Sequence, residues 1–66
     1  MKLETLIGDV TYGTKLVIEN EYAPNKLYFM GEWTRDKTSQ KDLKDVRKSD
    51  VIAISVVDGA IRVTIV

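Results

Sequence analysis

The strongest constraint on this chain is the pair Asp58-Gly59, which separates two runs of aliphatic residues near the end of the sequence. Asp-Gly favours a two-residue type I′ turn, in which both central residues take a positive φ that glycine adopts without strain. The flanking runs, VIAISVV and AIRVTIV, are rich in the β-branched residues that favour strands. Residues 51–66 are therefore predicted to form a β-hairpin.

This turn also predicts which residues of the hairpin face each other. Counting outward from the turn places Val57 opposite Ala60, and successive pairs then alternate between the two faces of the ribbon. The pairs that follow are Val56 with Ile61, Ile54 with Val63 and Ile52 with Ile65 on an aliphatic face, and Ser55 with Arg62, Ala53 with Thr64 and Val51 with Val66 on a mixed face. A slip of one residue would bury Arg62, so the pattern specifies its own register.

The first ten residues have the spacing of a short amphipathic helix. Leu3, Leu6, Ile7 and Val10 fall at positions i, i+3, i+4 and i+7, which places them on one helical face. Gly8 weakens a helix interior, so one or two turns ending near this residue are expected. A strand is the alternative, but the apolar residues of this segment do not alternate cleanly.

A second hairpin is predicted in the first half of the chain. The strand period of two places Leu16 and Ile18 on one face of residues 15–20. In residues 27–33 the same period places Leu27, Phe29, Gly31 and Trp33 on one side, and Tyr28, Met30 and Glu32 on the other. The polar residues 21–26 connect them, with Pro24 and Asn25 at the centre of the turn. Two antiparallel strands joined by this loop follow from the pattern.

The segment between the two hairpins is the most polar part of the sequence and predicts a short second helix. Ser39 stands where an N-cap would, with Asp42 three residues later, close to the capping-box pattern. Leu43 and Val46 are the only apolar residues of the helix that would follow. With two apolar anchors, this helix is expected to be weakly held.

Together these elements predict a single α+β domain spanning residues 1–66. Its small antiparallel sheet would contain two hairpins, about four strands in all, with a short N-terminal helix and a short helix between the hairpins. The N-terminal helix is expected to cover the aliphatic face of the last hairpin. A small open barrel with helical turns at its ends is the alternative. Sixty-six residues lie near the lower limit for independent folding, so self-association would add stability.

Composition argues against an enzyme. The chain has no cysteine and no histidine, the residues most often recruited as nucleophiles and general bases at neutral pH. Phosphate-binding, calcium-binding and zinc-binding motifs are absent from the sequence. No catalytic residue, cofactor, metal ion or small-molecule substrate is therefore expected. The sequence also lacks an apolar run long enough for a membrane span and a signal-peptide core, so a cytoplasmic protein is expected.

The sheet face that the N-terminal helix cannot cover is the main candidate for binding. An apolar patch larger than a monomer usually exposes marks an interaction surface. This patch is expected to hold a second copy of the chain, as a homodimer, or another protein. Alternatively, the second helix covers this face through Leu43 and Val46. The residues predicted to form the patch are Val17, Tyr28, Met30, Val51, Ala53, Val57 and Val66.

A nucleic-acid-binding module is the alternative function. Basic residues that share one side of the second helix would contact phosphates, and the sequence offers Lys41, Lys44, Arg47 and Lys48. Asp42, Asp45 and Asp50 are interleaved with them, which favours a solvated helix with mixed charges. The whole chain also carries ten basic and ten acidic residues, so no net charge attracts nucleic acid. Nucleic acid is therefore not the expected partner.

Both ends of the chain resemble short proteins encoded by phages and prophages of Gram-positive bacteria. The resemblance rests on LETLI, on DVTYGTKLVI at residues 9–18 and on VIAISVVDG at residues 51–59. Most of those proteins have no assigned function, and the resemblance carries over no functional residue. It implies an accessory protein in the cytoplasm of a bacterial host, one that would modulate a host protein or a defence system by binding.

Overall fold

The computed structural model describes residues 1–20 and 26–66. The predicted turn at Pro24 and Asn25 lies outside the described residues. The two hairpins, the N-terminal helix and the helix between the hairpins confirm the predicted α+β fold. The elements in chain order are α1 (Leu3–Gly8), β1 (Lys15–Asn20), β2 (Leu27–Glu32), a 3-10 helix (Arg35–Ser39), α2 (Lys41–Val46), β3 (Val51–Val57) and β4 (Ala60–Ile65).

The four strands form one sheet in the order β2-β1-β4-β3. Within each hairpin the pairing is antiparallel, as predicted, but β1 and β4 pair in parallel at the centre. The sheet is therefore mixed, with the first and last strands side by side. It is open, with β2 and β3 as its two edges, so the barrel alternative does not apply.

The turn between β3 and β4 has the predicted geometry. Asp58 has φ 52° and Gly59 has φ 77°, as a type I′ turn requires. Five cross-strand pairs follow the predicted register: Val57 with Ala60, Val56 with Ile61, Ser55 with Arg62, Ile54 with Val63 and Ala53 with Thr64.

The last two pairs of this hairpin differ from the prediction because of a β-bulge. The register shifts between Val51 and Ala53, so that Val51 rather than Ile52 lies opposite Ile65. The predicted pairings of Ile52 with Ile65 and of Val51 with Val66 are therefore wrong. A bulge adds one residue to one strand, which reverses the in-and-out alternation beyond it.

Both α-helices pack on the same face of the sheet. Leu3 of α1 and Leu43 and Val46 of α2 belong to one core cluster with the side chains of the sheet. The second helix therefore does not cover the opposite face, and that alternative is wrong. The buried core consists of Leu3, Leu16, Ile18, Phe29, Trp33, Leu43, Val46, Val63 and Ile65.

The start of α2 also differs from the prediction. Gln40 is the N-cap residue, without a side-chain cap, and the helix begins at Lys41. Ser39 instead ends the preceding 3-10 helix, where its hydroxyl donates to the Asp36 carbonyl oxygen at 3.4 Å. The hydroxyl is thus engaged behind the helix rather than at its first turn.

An ion pair joins the residue before α1 to the residue before β3. Lys2 Nζ lies 2.8 Å from Asp50 Oδ1, beside the backbone bridge between the same two residues. The hydrogen bond from Lys2, together with its positive charge, holds the pKa of Asp50 below its ordinary value. Both side chains are more than half exposed, so the contribution to stability is small.

This pair predicts a pH dependence of stability. Because the folded-state pKa of Asp50 is lowered, its contribution is present above the unfolded value of about 4 and is lost as the pH falls through the folded value. We expect Asp50→Asn and Lys2→Gln each to reduce the loss of stability between pH 5 and pH 2.5. Urea midpoints measured across this range would show it, and identical pH profiles for wild type and both variants would contradict it.

Candidate interaction surface

The outer face is the side of the sheet opposite α1 and α2. Partner residues in a ladder share a face, so the register identifies its members from the core residues on the other side. None of the described helices lies on this face. Its members are Lys15, Val17 and Glu19 in β1, Leu27, Met30 and Glu32 in β2, Ala53, Ser55 and Val57 in β3, and Ala60, Arg62 and Thr64 in β4.

Four of the seven residues predicted for this patch lie on the outer face, namely Val17, Met30, Ala53 and Val57. Met30 is 69% exposed and Val57 is 46% exposed, large values for apolar side chains. Val17 is half-buried between its neighbours on β2 and β4. These exposed apolar side chains show that the face is uncovered within the described chain.

The other three predicted residues lie elsewhere. Val51 packs against the core because the bulge in β3 reverses its orientation. Tyr28 also packs against the core, and its hydroxyl accepts a hydrogen bond from Asn20 Nδ2 at 3.4 Å. Val66 follows the last residue of β4 and donates its backbone N–H to the Asp50 carbonyl oxygen at 3.1 Å.

A second bulge explains the position of Tyr28 and adds a residue that the sequence pattern missed. Ile18 pairs with Phe29 while Glu19 pairs with Leu27, which leaves Tyr28 as the extra residue of β2. Simple alternation places Leu27 on the core side, but it lies on the outer face and is 47% exposed. A strictly alternating pattern cannot reveal that a bulge places Tyr28 on the core side and Leu27 on the outer face.

A shallow depression of about 410 Å³ occupies one end of the outer face. Its floor is apolar, formed by Val17, Met30, Val57 and Ala60. Two cationic and two anionic side chains surround the floor, so the formal charge of the rim is balanced. The rim residues are Lys15, Glu32, Asp58 and Arg62.

An ion pair crosses the outer face beside this depression. Arg62 Nε lies 3.0 Å from Glu19 Oε1, and Arg62 Nη2 donates to Glu19 Oε2 at 3.3 Å. This two-bond arrangement joins the central strands β1 and β4 and orients the Arg62 side chain. In the register of the sheet, the Arg62–Glu19 ion pair lies between the depression and Ala53. Ala53 is therefore on the outer face but outside the depression.

The four basic residues predicted for the second helix are exposed to solvent, but only Lys41 and Lys44 belong to α2, because the helix ends at Val46 and Arg47 is its C-cap. Within residues 1–20 and 26–66, no ion pair of 4.0 Å or less includes any of them. Asp42 and Asp45 on the same helix are exposed as well. The four exposed residues are Lys41, Lys44, Arg47 and Lys48.

The aliphatic face of the last hairpin is only partly covered. The helices cover Val63 and Ile65 of β4, whereas Ile54 and Val56 of β3 are 49% and 72% exposed. The expectation that α1 covers this whole face is therefore wrong. The sheet is wider than its helical layer, so β3 extends beyond the core.

No three acidic side chains among the described residues lie close enough together to hold a metal ion. The described helices are too short, and not apolar enough, for any of them to cross a membrane. Comparisons of the chain with protein-family models, with curated proteins and with solved structures gave no match.

Proposed function

We propose that this chain is a small non-enzymatic accessory protein that acts by binding another protein through the depression on the outer face. One observation carries the proposal: the apolar floor is exposed while both α-helices pack on the opposite side of the sheet. Burying such side chains against a partner removes apolar surface from water at roughly 25 cal/mol per Å².

The shape of the depression indicates what the partner presents. Its floor accommodates one or two aliphatic or aromatic side chains, and Met30 is unbranched and flexible enough to adapt to them. Lys15 and Glu32 lie opposite each other across β1 and β2, so the rim offers both signs of charge to polar groups around the inserted side chain. Because these charges balance, the affinity should depend weakly on salt.

The setting in which this binding takes place follows from the sequence resemblance. The resemblance to short phage and prophage proteins implies a role inside a bacterial host, so the proposed compartment is the bacterial cytoplasm. The proposed partner is a host protein, such as a component of a defence system, whose activity changes when the depression is occupied. The depression would then serve as the recognition element of a modulator.

Two matched substitutions test this proposal. Val57 lies in the depression and Val66 lies outside it, yet the two side chains are 46% and 48% exposed. We expect Val57→Lys to weaken binding of the partner at least about tenfold, because a charge replaces an apolar contact. Val66→Lys should leave the affinity within about twofold, and Met30→Lys should behave like Val57→Lys.

The measurement has two steps. Immobilised wild-type protein is used to recover partners from a bacterial lysate, and each candidate is then purified and titrated calorimetrically against the three variants. Loss of affinity confined to Val57→Lys and Met30→Lys, at both low and moderate salt, is the expected result. Equal affinities for Val57→Lys and Val66→Lys would show that the depression is not the binding site.

A nucleic-acid-binding module is the second candidate, favoured by the exposed cations of the second helix. Phosphate contacts would give an affinity that falls steeply as salt increases. Fluorescence anisotropy with labelled duplex DNA and single-stranded RNA at low salt would detect it. Binding that weakens on Lys41→Ala and Lys44→Ala, and that disappears at moderate salt, would favour this function over the first.

A further inference from the structure

Strand β3 is an edge strand with apolar side chains on both faces. Its seven residues, VIAISVV, include no charged residue and no proline. Ile52, Ile54, Val56 and Val57 are all more than two-fifths exposed. Natural sheets usually protect an edge with charges, proline or a covering element, and an unprotected edge is a template for another strand.

The backbone of this edge has hydrogen-bonding groups to offer. In a hairpin with a two-residue turn, the residues flanking the turn form a hydrogen-bonded pair, and alternate pairs along the ladder do the same. Val57, Ser55 and Ala53 thus direct their N–H and C=O groups toward β4. The same groups of Ile54 and Val56 point away from the sheet, where no described strand pairs with them.

The opposite edge of the sheet is better protected. Lys37 of the 3-10 helix places its Nζ 5.6 Å from the centre of the Phe29 ring in β2. The same Nζ lies 3.9 Å from the position that a Cβ on Gly31 would take. A positive charge and a helical turn therefore stand beside β2. Among the described residues, the edge of β3 is covered only at its start, where Val51 donates its backbone N–H to the Met1 carbonyl oxygen at 2.8 Å.

We propose that β3 pairs antiparallel with β3 of a second copy, about a two-fold axis that passes through Ser55. Ile54 of each copy would then form hydrogen-bonded pairs with Val56 of the other. All these pairs lie within residues 53–57, beyond the bulge at Ile52. The occupant is a second copy because β3 is uncharged and suits antiparallel pairing with itself. Ile54 of one copy would pair with Val56 of the other, and Ala53 with Val57, so all of these pairs are apolar.

Charge at the two ends of β3 selects this register over its neighbour. An axis through Ile54 would place Asp58 of one copy opposite Asp50 of the other, and opposed like charges are destabilising. With the axis through Ser55, Asp58 lies opposite Ile52 instead. The Ser55 hydroxyls of the two copies meet at the centre, where they can hydrogen-bond to each other.

The resulting dimer would be closed. Pairing of the two β3 strands gives a continuous eight-stranded sheet whose outer strands are both β2, the protected edge. An antiparallel pair about a two-fold axis keeps the same face up in both copies, so both helical layers lie on one side. The two depressions then lie on the other side, free for a partner. The dimer contact and the proposed partner site have only Val57 in common.

Light scattering over a dilution series, in moderate salt, measures this association. We expect a mass approaching twice the 7.5 kDa of the chain at high concentration. Replacing both Ile54 and Val56 with Lys should raise the dissociation constant at least about tenfold, since cations of the two copies would face each other. Met30→Lys changes the outer face at β2, away from β3, and serves as the comparison. Circular dichroism confirms that each variant is folded.

Cross-linking tests the register. The chain has no cysteine, so Ser55→Cys and Ala53→Cys each introduce a single thiol on the outer face of β3. In the proposed register the two copies of position 55 are directly opposite at a Cα separation of about 4.5 Å, within the range of a disulfide. The two copies of position 53 would be four residues apart along the strand, about 14 Å. Oxidised glutathione accepts the two electrons when the disulfide forms.

The outcomes separate the alternatives. Rapid cross-linking of Ser55→Cys, with little for Ala53→Cys, is the expected result. Comparable cross-linking of the two variants would overturn the Ser55 register in favour of the Ile54 axis. A wild-type mass that stays at one chain at millimolar concentration would overturn the dimer. So would a dimer that Met30→Lys dissociates and the Ile54/Val56 double variant does not. An outer-face variant that still dimerises but no longer binds the partner would implicate the depression alone, because its β3 edge still works.

Discussion

Replacing Trp33 with Ala is expected to leave much of the protein unfolded at 25 °C. Trp33 is 1% exposed, and its ring meets that of Phe29 edge to face, with centroids 5.2 Å apart and an interplanar angle of 84°. Truncating a buried tryptophan to alanine costs about 3–5 kcal/mol. A single core in a chain of this size rarely supplies more than about 3–5 kcal/mol in total.

Trp33→Phe is the matched control for this experiment. It retains an aromatic ring in the core and removes the indole N–H, which is buried without a hydrogen-bond partner among the described residues. Removing an unpaired buried donor offsets part of the lost packing. Urea unfolding followed by far-UV circular dichroism is suitable because both variants lack the only tryptophan of the chain. Equal losses in the two variants would contradict the assignment of Trp33 as a packing residue.

Leu43→Ala is expected to cost about 2–5 kcal/mol, because Leu43 is fully buried between α2 and the sheet. Met30→Ala is the comparison, since Met30 is an apolar residue of similar size that is mostly exposed on the outer face. Its truncation should change the free energy of unfolding by no more than about 0.5 kcal/mol. The reverse order of the two effects would place α2 on the outer face.

The two variants Leu43→Ala and Met30→Ala also test the binding proposal. A side chain that contributes little to folding and much to affinity is expected of an interaction surface. Met30→Ala should therefore be as stable as wild type to urea while binding the partner more weakly. Leu43→Ala should retain its affinity at temperatures where it is still folded.

Local sequence predicted the last hairpin well because two independent signals agreed. The Asp58-Gly59 turn fixes the backbone at one end, and the alternation of aliphatic and mixed side chains fixes the register along the strands. The sequence also predicts the N-terminal helix well, because the helix begins at Leu3, the first residue of the apolar stripe, and ends at Gly8. At these positions local preference and tertiary packing favour the same structure.

The membership of the outer face was harder to predict, and bulges are the reason. Each bulge adds one residue without any change in the polar pattern that would reveal it. The alternating pattern therefore assigns Tyr28 and Val51 to the wrong face and leaves Leu27 out of the outer face. The positions of Val17, Met30, Ala53 and Val57 were predicted correctly because they lie in the regular parts of their strands.

The parallel pairing of β1 with β4 was also beyond the reach of local pattern. Hydrophobic alternation shows that a segment is a strand but not which strand lies beside it. The exposure of β3 follows from this order, since β3 becomes an edge only because β4 occupies the centre. The self-pairing proposed for β3 therefore depends on topology that the sequence alone does not show.

The parallel pairing of β1 with β4 has a consequence for how the chain folds. Each hairpin closes through nearby residues, an event that takes microseconds. The β1–β4 pairing instead joins Leu16 to Ile61 and Asn20 to Ile65, and most of the chain lies between these partners. Loop-closure entropy opposes such distant pairing until the hydrophobic core forms with it. Core residues come from both halves of the chain, so neither half has a complete core of its own. We therefore expect the docking of the two hairpins to limit the folding rate.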